Sequence, residues 1–376
     1  MKVRTVTVGI PDAFSYEQLQ FAVDFNRRCQ NRLEANGYEV QTTRISSQTW
    51  GKISHIDQVL ELDRRVLELG CEFFSLGTIF PHLPQTSTHL ALVPEAISQS
   101  DTLFTSATLT TPDQQIKWEA AEKTAAVIQK IAHTTDDGLG NLRFAATMNC
   151  PPNTPFFPAA YWQDQGFNFG VGWQAADLVH QAFVDAPNIE IASVRLKSLM
   201  EREGKQIVVL AEELAKEARV RFVGLDVSPA PMGNESIAGA IETLLPARFG
   251  ERGTLTVVGA ITKTLDSLNL PRCGYSGLML PSLEDEVLGN RGSEGCFNLD
   301  SLLLYSAVCG TGLDTIPIPG DASMRQICGI LTDVASLSIR WKKPLSVRLF
   351  PIPGLNAGER THFDSPYLTN TTVMEV

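Results

Sequence analysis

Val3-Arg4-Thr5-Val6-Thr7-Val8-Gly9-Ile10 is followed by an amphipathic run from Tyr16 to Asn36, a glycine at 37 and a second extended stretch from Tyr38 to Ile45. β-Branched residues favour the pleated backbone in the two outer stretches, and Gly37 supplies a helix stop between them. A strand, a helix and a strand in this order point to a parallel sheet covered by helices. The same alternation continues outward. A helix is expected over Ile56–Leu69, strands over Phe73–Ile79 and Thr102–Thr110, a helix over Pro112–His133 and a buried strand over Leu142–Met148. In the second half, helical spacing covers Ile191–Arg219, Ser236–Leu245, Leu255–Leu268, Leu299–Ala307 and Ala322–Arg340. Strands are expected at Arg221–Val227, Tyr275–Leu280 and Leu345–Phe350. No linker or repeat interrupts the pattern, so a single α/β domain over residues 1–376 is the expectation. Cys150–Ala160, with Pro151, Pro152, Pro155 and Pro158, fits neither helix nor central strand. It reads as a loop over the mouth of a site.

Composition excludes several classes. Of the 376 residues 43% are hydrophobic and 19% charged, which is globular rather than disordered. The net charge of −11 argues against a surface built to hold phosphate backbones, so no nucleic-acid partner is expected. No apolar window approaches the ~20 residues of a membrane span, and no membrane partner is expected. Seven scattered cysteines with no CxxC pair, together with an opening that reads as a strand rather than a leader, lead to the expectation of a cytoplasmic protein with reduced thiols. A P-loop and a GxGxxG turn are both absent, so no nucleotide cofactor is expected; HExxH is absent too.

Four junctions carry the candidate chemistry. Gly224–Pro231 presents Asp226 at the end of a buried run, where parallel α/β folds gather catalytic groups. Gly274–Pro281 contains Ser276 and leads into Glu284, Asp285 and Glu286, which also suit a helix N-terminus. Val308–Asp321 holds Cys309, flanked by Gly310 and Gly312 whose amides are candidates for anion contacts. It also holds Asp314 and Asp321, which with Glu284 form a candidate oxygen-ligand set for a divalent ion such as Mg, Mn or Zn. Seven extended residues span about 23 Å, so Asp314 and Asp321 meet only if Pro317–Gly320 folds back. Phe167–Trp173 carries Gly170 and Gly172, candidates for exposing amides to an anion before a helix. Arg44 is a candidate for orienting a substrate carboxylate.

In order and spacing these stretches resemble the domain-of-unknown-function 711 family and the related uncharacterised protein family 0210. The matching segments are Arg4–Ile10, Thr43–Ser46, Phe167–Trp173, Gly224–Pro231 with Asn234–Ser236, Gly274–Asp285 and Ala307–Asp321. The resemblance implies a barrel of mostly parallel strands wrapped by helices, similar to the fold of pyruvate formate-lyase and other glycyl-radical enzymes. It also implies a cysteine-bearing loop inside the barrel, for which Cys309 is the candidate. The tail Gly354–Arg360 does not match a glycyl-radical motif, so no glycyl radical is expected.

The expected function is a cytoplasmic enzyme, a metal-assisted hydrolase or lyase acting on a small polar metabolite in an enclosed site. Cys309, Asp226 and Asp314 are its candidate catalytic groups. The alternative is a non-catalytic metabolite-binding or regulatory protein holding a small anion through backbone amides. A homo-oligomer is the base-rate expectation for either.

Overall fold

The computed structural model describes residues 2–376. Its strands are β1 (Lys2–Gly9), β2 (Val40–Ser46), β3 (Phe74–Ile79), β4 (Leu103–Thr108), β5 (Phe144–Met148), β6 (Asn168–Gln174), β7 (Arg221–Asp226), β8 (Gly312–Pro319) and β9 (Leu345–Ile352). The helices are α1 (Tyr16–Glu34), α2 (Ile56–Glu68), α3 (Thr86–Ser98), α4 (Trp118–Thr134), α5 (Ala176–Phe183), α6 (Ile189–Ala218), α7 (Ile237–Leu244), α8 (Thr254–Asp266), α9 (Glu286–Ser293), α10 (Leu299–Ser306) and α11 (Met324–Trp341). In α1, Ser15 caps the first turn, and Leu19, Ala22, Val23, Cys29 and Leu33 form the apolar stripe that packs on the sheet.

The nine strands form one sheet in the order β7-β6-β1-β2-β3-β4-β5-β9-β8. Strands β1 to β5 run parallel to one another. The pairs β6/β7 and β8/β9 are also parallel. These pairs meet the first five strands at two antiparallel seams, β1/β6 and β5/β9. The two halves therefore run in opposite directions. Residues 271–282 close the remaining gap, because Leu225 N–H donates to Pro271 O (2.9 Å) and Ser282 N–H to Asp314 O (3.1 Å). Single parallel bridges, Leu225 to Arg272 and Pro281 to Asp314, join this segment to β7 and β8. The result is the expected α/β barrel, with helices outside.

Closure depends on one close approach. A Cβ on Gly277 would lie 2.2 Å from the Gly310 Cα, and a Cβ on Gly310 would lie 2.0 Å from the Gly277 Cα. The two backbones touch there, which only glycine allows. Asp285 secures the same region by capping two helices at once. It accepts from Leu288 N–H at the start of α9 and from Ile237 and Ala238 N–H at the start of α7.

Several sequence expectations need correcting. Phe167–Trp173 is not a loop before a helix but most of β6. Val308–Asp321 is not mainly loop, since residues 312–319 form β8. Its prolines at 317 and 319 are tolerated because β8 ends the hydrogen-bonded order and needs few donors on its open side. The 275–280 stretch makes no continuous ladder: the single bridges above flank it, and within it Leu278 O accepts from Gly310 N–H and Thr311 Oγ1. Helix α3 had no clear sequence signal. The proline-rich connector does not cover a mouth: residues 154–161 are buried. Thr7 Oγ1 donates to Pro155 O (2.7 Å) and Ser75 Oγ to Ala160 O (2.6 Å), while Phe156 packs against Gly172. The connector thus runs between the two halves of the barrel.

Candidate active site

A cavity of about 980 Å³ lies inside the barrel beside this connector. Because the halves are antiparallel, it is lined by residues at or before the starts of β3 to β5 (Phe73, Phe104, Arg143) and by residues following β7 (Ala230, Met232). Strands β1 and β2 contribute Arg4 and Arg44, and β8 and β9 contribute Asp314, Ser346 and Arg348. Phe156, Phe157, Met279 and Tyr275 make much of the remaining wall.

The charged side chains form a buried cluster. Arg348 Nη2 pairs with Glu284 Oε1 (2.7 Å) and its Nε with Asp314 Oδ1 (2.5 Å). Arg4 Nη2 pairs with the other Glu284 oxygen (2.9 Å). Burial opposes the Arg348 charge, but Asp314 and Glu284 outweigh it and hold its pKa above the ordinary value. At Arg4 burial wins over the attraction of Glu284, and the pKa falls.

Arg44 is different. It is 7% exposed, and no carboxylate among the described residues is within ion-pair distance. Its guanidinium lies over Phe73 (5.3 Å to the ring centroid) and Phe157 (5.1 Å), and its Nε donates to Thr42 Oγ1 (3.0 Å). Burial, followed by repulsion from Arg4, pushes its pKa down to about 9. The depression reflects burial, as it does at Arg4; the absence of a counter-ion is seen in the geometry, and at neutral pH the group remains charged.

Tyr275 stands on the same wall, with Ser346 and the Cys150 thiol near its hydroxyl. Burial raises the Tyr275 pKa well above its ordinary value and pushes the Cys150 thiol up to about 12. Both are protonated at neutral pH. Asp226 fixes this residue from behind by accepting from the N–H groups of Tyr275 (2.8 Å) and Ser276 (2.9 Å).

The sequence-predicted residues divide sharply. Arg44, Glu284 and Asp314 meet at the cavity; Cys309, Asp226, Ser276 and Asp321 do not line it. Cys309 is fully buried in the hydrophobic core at the end of α10, so it is neither an accessible thiol nor the cysteine of the internal loop. Asp226 is fully buried and acts as an acceptor for the 274–277 turn, and Ser276 Oγ donates to Cys273 O (2.8 Å). Asp321 is exposed past the end of β8, and the extended strand keeps it away from Asp314.

The proposed metal set therefore does not converge. No group of three or more His, Cys, Asp or Glu side chains among the described residues is placed to hold an ion. Glu284 and Asp314 are instead paired with guanidiniums, which does not fit a divalent cation at those oxygens. The glycine amides also have other roles. Gly170 and Gly172 lie mid-strand, where a side chain would come tight against Val223 and clash with the Phe156 ring respectively. Gly310 N–H donates to Leu278 O (3.2 Å), and a Cβ on Gly312 would lie 2.3 Å from Ser346 O.

Arg4, Arg348, Tyr275 and Phe157 escaped sequence reasoning. A usable signal existed for one of them: Arg348 is the one charge in the largely apolar Leu345–Ile352 strand, where an unpaired charge is costly.

Comparison with known proteins agrees with the sequence resemblance. The family model described as Uncharacterised ACR (DUF711) matches residues 1–365. A UPF0210 protein from Pyrobaculum aerophilum is 35% identical over 253 residues, covering 62% of this chain and 54% of the relative. One from Methanosarcina acetivorans is 25% identical over 398 aligned positions, covering 96% and 86%. The chain thus spans about half the length of the Pyrobaculum relative. Among solved structures, an anaerobic ribonucleotide reductase aligns with a TM-score of 0.46 and 9% identity, over 92% of this chain and 70% of that one. No helix among the described residues is long and apolar enough to cross a membrane. With its matched segments distributed from β1 to the C-terminal tail, the chain belongs to the DUF711 family.

Proposed function

We propose that the barrel takes up a small organic anion and that Arg44 receives it. One observation carries this reading: a guanidinium 7% exposed, with no carboxylate partner, beside a cavity of about 980 Å³. An unpaired buried cation is expensive, and a bound anion removes that cost. Thermal unfolding measured with a panel of carboxylates and inorganic phosphate tests it. At least one anion should stabilise the protein saturably, as expected for a ligand held only by the native state. Arg44→Gln should abolish the effect; stabilisation that survives this change defeats the proposal.

An enzyme acting on that anion is the second reading. It is favoured by the protonated Tyr275 hydroxyl, which shares the cavity with Arg44. Conversion of a bound acid to product by the native protein, lost in Tyr275→Phe while binding is retained, would support it. Recovery of the ligand unchanged would leave binding as the function.

A further inference from the structure

Resting on that anion-binding reading, we infer that the occupant carries a single negative charge and an apolar body, as an aliphatic or aromatic monocarboxylate does. The first argument is charge. The buried cluster holds three guanidiniums, Arg4, Arg44 and Arg348, against two carboxylates, Glu284 and Asp314, a surplus of one positive charge. Arg143 also lines the cavity but stands apart from this cluster, its guanidinium donors taken by the carbonyls of Ile97 and Ser100 and its charge favoured by Asp101 and Asp63. One negative charge closes the balance, whereas a dianion would leave a net charge of the opposite sign buried in its place.

The rim acts in the same direction. Glu39, Glu72, Asp101 and Asp136 are exposed where the cavity meets solvent. Their repulsion is weakened by water and salt, and it grows with the charge on the entering ligand. Nothing comparable invites a second negative group, since Arg4 and Arg348 are already engaged by Glu284 and Asp314.

The third argument is shape. Phe73 and Phe157 lie against the Arg44 guanidinium and Thr42 takes its Nε, which leaves the terminal nitrogens as the free edge. A planar fork of this kind matches a carboxylate through two parallel hydrogen bonds. The ligand body would then meet rings and thioethers. Phe104 lies tilted against Phe157 with ring centroids 5.1 Å apart, and Phe156 packs with Ala230 and Met279. Binding energy there comes from apolar burial.

The test is isothermal titration with butanoate, octanoate, phenylacetate and cinnamate against succinate, suberate, inorganic phosphate and phenyl phosphate. Wild type, Arg44→Gln and Arg44→Lys are compared. The expected result is tightest binding by a monocarboxylate with an apolar body, weaker by on the order of 30-fold in both variants. Arg44→Lys retains the charge and loses the fork. If suberate or a phosphate binds more tightly than every monocarboxylate and does so through Arg44, the charge-and-body inference is overturned while the anion site stands. If none of the eight binds the wild-type protein, both readings fall. Circular dichroism and unfolding midpoints of the variants separate loss of binding from loss of fold.

Discussion

The carboxylate of Asp226, at the end of β7, accepts the backbone N–H of Tyr275 at 2.8 Å, so a fully buried acid outside the cavity fixes the residue whose phenol enters it. The same carboxylate takes Ser228 N–H and Oγ–H and Ser276 N–H. Asp226→Ala leaves three buried backbone amides without that acceptor and should cost about 3 to 5 kcal/mol in urea unfolding. A loss below about 1 kcal/mol would mean that the turn is held by something else.

Asp226 also sets a pH dependence. Burial raises its pKa to about 6 against an ordinary value of 3.8, with its hydrogen bonds opposing the rise. Between those values the folded protein holds a proton that the unfolded chain has lost. The contribution of this group to stability is therefore complete below about pH 4 and falls as pH rises through about 6, by on the order of 3 kcal/mol. Unfolding free energies of wild type minus Asp226→Asn, measured across this range, should decline with rising pH. A flat or rising difference would contradict the assignment.

Two arginines of one cavity should respond oppositely to truncation. Arg348→Ala strands Glu284 and Asp314 as buried anions and should destabilise by about 3 to 5 kcal/mol. Arg44→Met removes a cation that has no partner while keeping apolar contact with Phe73 and Phe157. It should leave the ligand-free protein as stable as wild type or up to about 2 kcal/mol more stable. Equal losses in the two variants would show that Arg44 has a counter-ion after all.

Gly310→Ala places a methyl group 2.0 Å from the Gly277 Cα, backbone against backbone, with no flexible side chain to yield. Unfolding should be easier by about 3 kcal/mol or more, because the segment joining β7 to β8 has to move. Gly295→Ala, at a position with open space around it, is the control for intrinsic glycine effects, although its φ of +71° adds local strain of its own. A Gly310→Ala variant no less stable than that control would disprove the contact.

Much of the barrel was legible because β1 to β5 and their helices are punctuated by caps and glycines that act locally. Strands β6 and β8 were not. Asn168–Gln174 contains two glycines and Gly312–Pro319 two prolines, residues that weaken a local strand signal and are accommodated by distant neighbours: the Phe156 ring for Gly172, and the sheet edge for Pro317. Asp226 was chosen by the rule that places function at the C-terminal ends of parallel strands, and Cys309 as a thiol beside two glycines and as the loop cysteine that the resemblance implies. That rule assumes that all strands point one way. Here β6 to β9 oppose β1 to β5, so the cavity draws on residues at the starts of β3 to β5, where the sequence reading did not look. Arg44, which lines the cavity, was singled out on its chemistry alone, whereas Tyr275 depends on a turn that Asp226 folds.

The ion pair between Arg4 and Glu284 joins residues 280 positions apart. During synthesis Arg4 and Arg44 leave the ribosome long before either acid that completes the cluster, on a half-barrel whose interior is still open. The proline-rich connector must settle against that half before β6 to β9 can close over it. The cavity is therefore closed only when β9 arrives, although Arg44 and the rings of Phe73 and Phe157 are made long before.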